Sequence, residues 1–197
     1  IVAYLKVLEN PADTVSLRRI INTPRRGIGD RAISCLAVFA EQQGISLWEA
    51  CCRAKEGVVP FLNSRAEKSI ASFVELMTDI QHHIAGRDHT AGEGSLPDLG
   101  EIVEMVIDRS GYRASLEGSN DSQDQSRLDN LKELVSVAHE FSADAASLRA
   151  LEESFDDSNA DGVSKETIDE GTEGLAEPGS LAAFLERVSL ASDTDRI

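Results

Sequence analysis

Residues 21–32 read "INTPRRGIGDRA". Arginines sit on both sides of a Gly-Ile-Gly turn in a chain whose formal net charge is −16. Glycine allows positive φ and close approach of a backbone, and Asp30 is placed as the N-cap of a helix beginning just after the turn. The first N–H groups of such a helix lack intrahelical partners, and its dipole favours an anion. Arg25, Arg26 and Arg31 would add charge for a phosphate beside those amides, with Thr23 as a hydroxyl donor. The alternative is an ordinary helix connection with solvated arginines.

Outward from the turn, apolar spacing is helical almost throughout. Upstream, Val2, Leu5 and Leu8 predict one face, and Val15, Leu17, Ile20 and Ile21 another short helix. Downstream, Ile33, Leu36, Ala37 and Ala40 predict a third, stopped by Gly44. "SLWEACCRA" reads as a helix with Ser46 and Glu49 in capping-box positions and Leu47, Ala50, Cys51 and Ala54 along one side. The strongest stripe is Ile70, Phe73, Val74, Met77, Ile80 and Ile84. Leu99, Ile102, Val103, Val106 and Ile107 follow, ending at Gly111; then Leu128, Leu131, Leu134, Val135 and Ala138; then Leu181, Phe184, Leu185 and Val188. No period-2 strand with a hairpin turn interrupts the series, so the fold class is all-α. Two stretches break the pattern. Residues 86–97 form a polar loop, and residues 143–179, acidic and poor in large apolar side chains, read as a long disordered loop.

The charge is segregated. Residues 1–68 hold ten Lys/Arg against seven Asp/Glu, while residues 69–197 hold nine against 28, so the turn lies in the one cationic part of an acidic chain. With 197 residues and 41% hydrophobic content, one core of good size is expected. No apolar run approaches the roughly 18 residues of a membrane span. The chain starts without Met and inside an amphipathic pattern, which predicts a segment of a longer protein. Three cysteines without a CxxC pair predict a reducing, cytoplasmic setting.

Other constellations are sparse. His82, His83 and His89 are near in sequence, but the first two are adjacent rather than four apart and the cysteines are distant, so no metal is expected. No GxxxxGK[ST] phosphate loop and no nucleophile elbow occurs, so neither catalytic residues nor a bound cofactor are expected here. Cys51 and Cys52 would point about 100° apart on a helix. Two readings stay open: small core side chains, or an exposed thiol joining two copies on oxidation, with Cys35 as a competing redox thiol. Trp48 fits a core position.

The turn resembles half of a helix-hairpin-helix, a device that holds the duplex DNA backbone without regard to sequence. The longer stretch "AYLKVLENPADTVSLRRIINTPRRGIGDRA" resembles the start of the inserted 2B subdomain of UvrD/PcrA/Rep-type superfamily 1 DNA helicases. "SLWEAC", "GYRASLE", "RLDNLKELVSVAHEF" and "LAAFLERVSL" match the family in the same order. The acidic insert matches no motif.

The resemblance implies a regulatory domain over residues 1–197 of a 3′→5′ ATP-dependent helicase of DNA repair or replication. That domain contacts duplex DNA beside a single-strand junction through Thr23, Arg25, Arg26, Gly27, Ile28, Gly29 and Arg31, and gates unwinding by rotating as a body. Residues 1–8 and 185–197 would lie near the hinge to subdomain 2A. ATP and Mg would bind the parent motor and not this segment. The partners implied are DNA and the motor subdomains, and the setting is the nucleoid; self-association belongs only to the exposed-thiol reading of the cysteines. The rival reading, from another class, is an acidic helical module that binds a repair or transcription protein and touches DNA weakly.

Overall fold

The computed structural model describes residues 1–88, 98–119, 121–158 and 176–194. Among these it is built from nine helices and no strand: α1 (Val2–Glu9), α2 (Thr14–Ile20), α3 (Asp30–Gln43), α4 (Leu47–Ala54), α5 (Ser64–Asp88), α6 (Leu99–Arg109), α7 (Tyr112–Glu117), α8 (Ser122–Ser158) and α9 (Leu181–Thr194). None of them is long and apolar enough to cross a membrane.

Local chemistry sets the boundaries. Asp13 caps α2 by accepting from Ser16 N at 3.0 Å, and the Ser46–Glu49 capping box opens α4 as expected. Gly44 closes α3 at φ 63°, and Gly111 separates α6 from α7 at φ 75°. The cap of α3 is Gly29, one residue earlier than the Asp30 expected, with no side-chain cap bond. Asp30 instead stands in the first turn, where its carboxylate still suits the helix dipole.

The apolar stripes of α4, α5 and α6 are the core. Leu47, Ala50, Cys51 and Ala54 are buried, as are Ile70, Phe73, Val74, Met77 and Ile80, and all five expected positions of α6. Trp48 is half-buried and meets Phe73 edge-on at 6.4 Å. α6 lies along α8, α3 and α5 flank α4, and α1 packs against both α2 and α9. The first and last helices thus meet in space, with Phe184 and Leu185 of α9 buried.

Four further expectations need correction. The buried face of α1 is Tyr4, Leu5 and Val7 rather than Val2, Leu5 and Leu8, because Tyr4 has polar partners inside (below). In α2, Val15 is exposed. The disordered loop expected at 143–179 does not begin at residue 143: α8 continues through Ser158. No Gly or Pro occurs from Ser122 to Ser158, and Ala and Leu are frequent after residue 143, so an existing helix extends at little cost. Ala145 is buried there, and Asp144 pairs with Arg187 of α9 at 3.8 Å. Residues 159–175 of that loop lie outside the described residues. α5 likewise runs through Gly86 to Asp88, since one glycine costs a helix only about 1 kcal/mol; the rest of the polar loop, His89 included, lies outside the described residues.

Candidate nucleic-acid interface

Asn22 organises the turn between α2 and α3. Its Oδ1 accepts from the backbone N–H of Arg26 at 2.9 Å and of Ile28 at 3.2 Å, folding residues 22–28 around one side-chain carbonyl. The Thr23–Pro24 peptide is cis. Gly27 sits at φ 81°, where a side chain is strained. Ile28 drops into the core with no exposed surface, anchoring the turn from beneath. Gly29 is different: its φ is −83°, and a Cβ there would meet nothing within 4 Å. It leaves the mouth of α3 uncovered rather than supplying an unusual backbone angle.

The sequence assigned Arg26 to the phosphate-facing set, and the structure removes it. Its Nη1 donates to Ile20 O at 3.0 Å and Pro24 O at 3.2 Å, and its Nη2 to Ser110 O at 2.8 Å and the Tyr4 hydroxyl at 2.6 Å. The guanidinium also lies 5.4 Å from the centre of the Phe73 ring and 5.8 Å from that of Tyr4. Tyr4 in turn donates to Thr23 O. Burial pushes the Tyr4 phenol up, with Arg26 opposing, so the hydroxyl stays protonated as the donor this network needs. Adjacent arginines thus divide: Arg26 ties the turn to α1, α2 and α6, while Arg25 is exposed.

What remains outward is Thr23, Arg25, Gly27, Gly29 and Arg31. Ile28 presents no side chain, and its N–H is already given to Asn22. Among the described residues the N–H groups of Gly27, Gly29, Asp30 and Arg31 have no acceptor. Arg25 and Arg31, together with Arg65 at the start of α5, have neither hydrogen-bond nor ion-pair partners among the described residues. Farther along the chain the arginines are neutralised: Arg109 by Asp79, Arg113 by Glu104 and Asp108, Arg127 by Asp124 and Arg187 by Asp144.

Two grooves flank the turn. One, of about 460 Å³, runs between the starts of α3 and α5, with Gly27, Gly29 and Arg31 on one wall and Phe61, Asn63 and Arg65 on the other. Asn63 caps α5 by accepting from Ala66 N at 2.8 Å. Two positive helix ends therefore face the same space. The second, broader groove of about 1080 Å³ separates Thr23 and Arg25 from Tyr112, Asp124 and Arg127. Asp124, held below the usual carboxylate range by the Ser119 hydroxyl and then by Arg127, makes that wall less favourable to an anion.

The arrangement can hold phosphates through backbone amides and nearby cations. Among the described residues no three His, Cys, Asp or Glu side chains are grouped to hold a metal ion. His83 engages Arg109, with 2.8 Å between its Nε2 and Nη2. Of the thiols expected as redox-active, Cys51 is wholly buried and pushed up to about 12 by burial. Cys35 and Cys52 are half-buried, and burial also raises Cys52.

Sequence reading missed Asn22, Tyr4 and Arg65. Asn22 had a local signal, an Asn before Thr-Pro whose side-chain carbonyl can stand in for a backbone acceptor. Arg65 had none, because nothing in the sequence brings the start of α5 beside the start of α3.

Comparison with known proteins gives the family. The model of the family described as UvrD-like helicase C-terminal domain matches residues 1–197. The chain is 49% identical over 197 residues to the ATP-dependent DNA helicase UvrD1 of Mycobacterium tuberculosis, covering all of this chain and 22% of that protein. It is 48% identical over the same length to its namesake in Mycobacterium leprae, again covering 22% of the relative. It is also 32% identical over 129 residues to the ATP-dependent DNA helicase PcrA of Staphylococcus epidermidis, covering 64% of this chain and 16% of that one. The chain thus spans about a fifth of the length of the UvrD1 relatives. It belongs to the UvrD-like helicase C-terminal domain family.

Proposed function

We propose that this chain is the 2B regulatory region of an ATP-dependent 3′→5′ DNA helicase, and that it holds the duplex backbone beside a single-strand junction through the turn at residues 23–31. The observation that carries this reading is the cluster of amides without acceptors at Gly27, Gly29, Asp30 and Arg31, ringed by the cations Arg25, Arg31 and Arg65, which have no ion-pair partner among the described residues, in a chain of net charge −16. Such a surface favours phosphate oxygens and offers no group arranged to read base edges, so binding is indifferent to sequence.

The region supplies no catalytic residue or nucleotide site. ATP and Mg belong to the motor that the rest of the protein contributes. The packing of α1 against α9 suits an insertion whose two crossings share one hinge, about which the region rotates and gates unwinding. The work of such a protein lies in repair or replication at the nucleoid. An oxidative link between copies would fall to Cys35 or Cys52, because Cys51 is enclosed.

The test uses the full-length protein with Arg25 and Arg31 both changed to Ala. Single-strand-stimulated ATP hydrolysis is expected to persist, while duplex affinity and unwinding change. Unaltered unwinding and duplex binding by a normally folded double variant would hand the lead to the protein-interaction reading.

A further inference from the structure

Phe61 is the most exposed large apolar side chain among the described residues, 88% accessible, and its backbone lies at φ 64°, a region a bulky residue enters only under strain. The loop around it is not slack. Val59 is buried on one side, Asn63 caps α5 on the other, and the Cys35 thiol reaches the Phe61 carbonyl at 3.9 Å. Folding therefore holds a phenyl ring outward at a cost in backbone strain and in exposed apolar surface.

The ring stands on the ridge between two grooves. On one side is the 460 Å³ groove it shares with Gly27, Gly29, Arg31 and Arg65; on the other is a smaller apolar groove of about 230 Å³ lined by Cys35, Val38, Phe39 and Pro60. Arg31 borders both, and among the described residues the charged side chains lining them are Arg31 and Arg65. Among the described residues no carboxylate lines either groove, although the chain as a whole is strongly acidic. Charge complementarity thus selects an anionic occupant, and the ring requires one that also presents apolar faces. The backbone of a DNA duplex has both, with phosphates outside and the apolar faces of deoxyribose between them.

We infer that Phe61 is a DNA-contacting residue whose ring packs against the apolar face of a deoxyribose in the strand whose phosphates lie along Gly27–Arg31. This rests on the duplex reading above and adds to it an uncharged contact from a different loop. The two kinds of contact differ in their response to salt. Each phosphate contact releases counterions and steepens the salt dependence, whereas an apolar contact strengthens binding without changing the slope.

The experiment measures affinity for a labelled duplex with a single-strand tail across a range of salt concentrations, using the full-length protein. Phe61→Ala is expected to weaken binding roughly tenfold at every salt concentration, with the slope unchanged. Phe61→Trp should restore binding. Phe61→Gly, which accepts the backbone angle, should raise the melting temperature while losing the same affinity. Wild-type affinity in Phe61→Ala, with altered slopes in Arg25→Ala and Arg31→Ala, would overturn the Phe61 contact and leave the duplex reading standing. Unchanged binding in all three variants would remove the duplex reading itself. Loss of self-association in Phe61→Ala with DNA affinity intact would assign the ring to a second copy, against the proposal.

Discussion

Arg26 Nη2 donates to the hydroxyl of Tyr4 at 2.6 Å, joining the third residue of a Pro-Arg-Arg run to the first helix of the chain. Through this pair and the carbonyls of Ile20, Pro24 and Ser110, the candidate DNA-contacting turn is fixed on the core by a residue that resembles its neighbour in sequence and differs from it in purpose.

Arg26→Ala removes the guanidinium donor from Pro24 O, Ser110 O and the Tyr4 hydroxyl, while Ile20 O still accepts from Thr23 N at 3.0 Å, and should destabilise the fold by about 2–3 kcal/mol. Arg26→Lys should recover little, since one ammonium cannot span the same acceptors. Tyr4→Phe should cost about 1 kcal/mol, and Arg25→Ala less than about 0.5 kcal/mol. Urea unfolding of the four variants separates the roles. Equal stability of Arg25→Ala and Arg26→Ala would show that Arg26 is not structural.

The two glycines of the turn should also part company. Gly27→Ala places a Cβ at φ 81° and should cost about 1–2 kcal/mol of stability. Gly29→Ala should be nearly silent in stability, because its φ is ordinary and the space beside it open. Gly29→Val should fold yet weaken duplex binding by screening the mouth of α3. Thermal melts paired with binding isotherms decide this, and a Gly29→Ala variant less stable than Gly27→Ala would contradict it.

Alkaline pH should destabilise the protein in a way that Cys51 governs. The thiol titrates near 9.0 when free and is pushed up to about 12 in the fold, so above pH 9 the unfolded chain releases a proton that the native state keeps. Stability is therefore fully present below pH 9 and falls as pH rises toward 12, with a slope approaching 1.4 kcal/mol per pH unit. The raised Tyr4 phenol adds a loss of the same sign above pH 10. Denaturant melts of Cys51→Ala should show a shallower decline than wild type between pH 9 and 11; parallel curves would sink the assignment.

Gly100 faces His139 so closely that an added Cβ would run into the imidazole, whose Nδ1 lies 2.8 Å from Asp98 Oδ2. Gly100→Ala should displace the ring, break that contact and loosen α6 on α8, costing about 1–3 kcal/mol. Adding His139→Ala should recover part of the loss. A double-mutant cycle with no coupling would show that the ring swings aside freely.

Much of this was legible before the fold was known. The α4, α5 and α6 stripes are buried as their spacing implied, except Ile84, which is half-buried, and Ser46–Glu49 opens α4 as a capping box. Local periodicity and local hydrogen bonding suffice for such features. The helical course of residues 143–158 was not legible, because acidic composition suggested a loop while an uninterrupted run of helix formers decided otherwise. Arg26 could not be told from Arg25 by residue type. Its partners lie 22 and 84 residues away, at Tyr4 and Ser110, and only tertiary structure brings them together. The same holds for Phe61 and Arg65, which join the turn across a groove that no local pattern encodes.

The central claim is that the turn holds duplex phosphates through exposed amides and Arg25 and Arg31. Its most direct test is the slope of log affinity against log salt for a duplex with a single-strand tail, compared between the full-length wild type and its Arg25→Ala/Arg31→Ala variant. The slope should flatten by about 0.9 for each arginine that contacts a phosphate, or roughly 1.8 for both, with the unfolding midpoint unchanged. Identical slopes and identical affinities in a variant that folds normally would contradict the account.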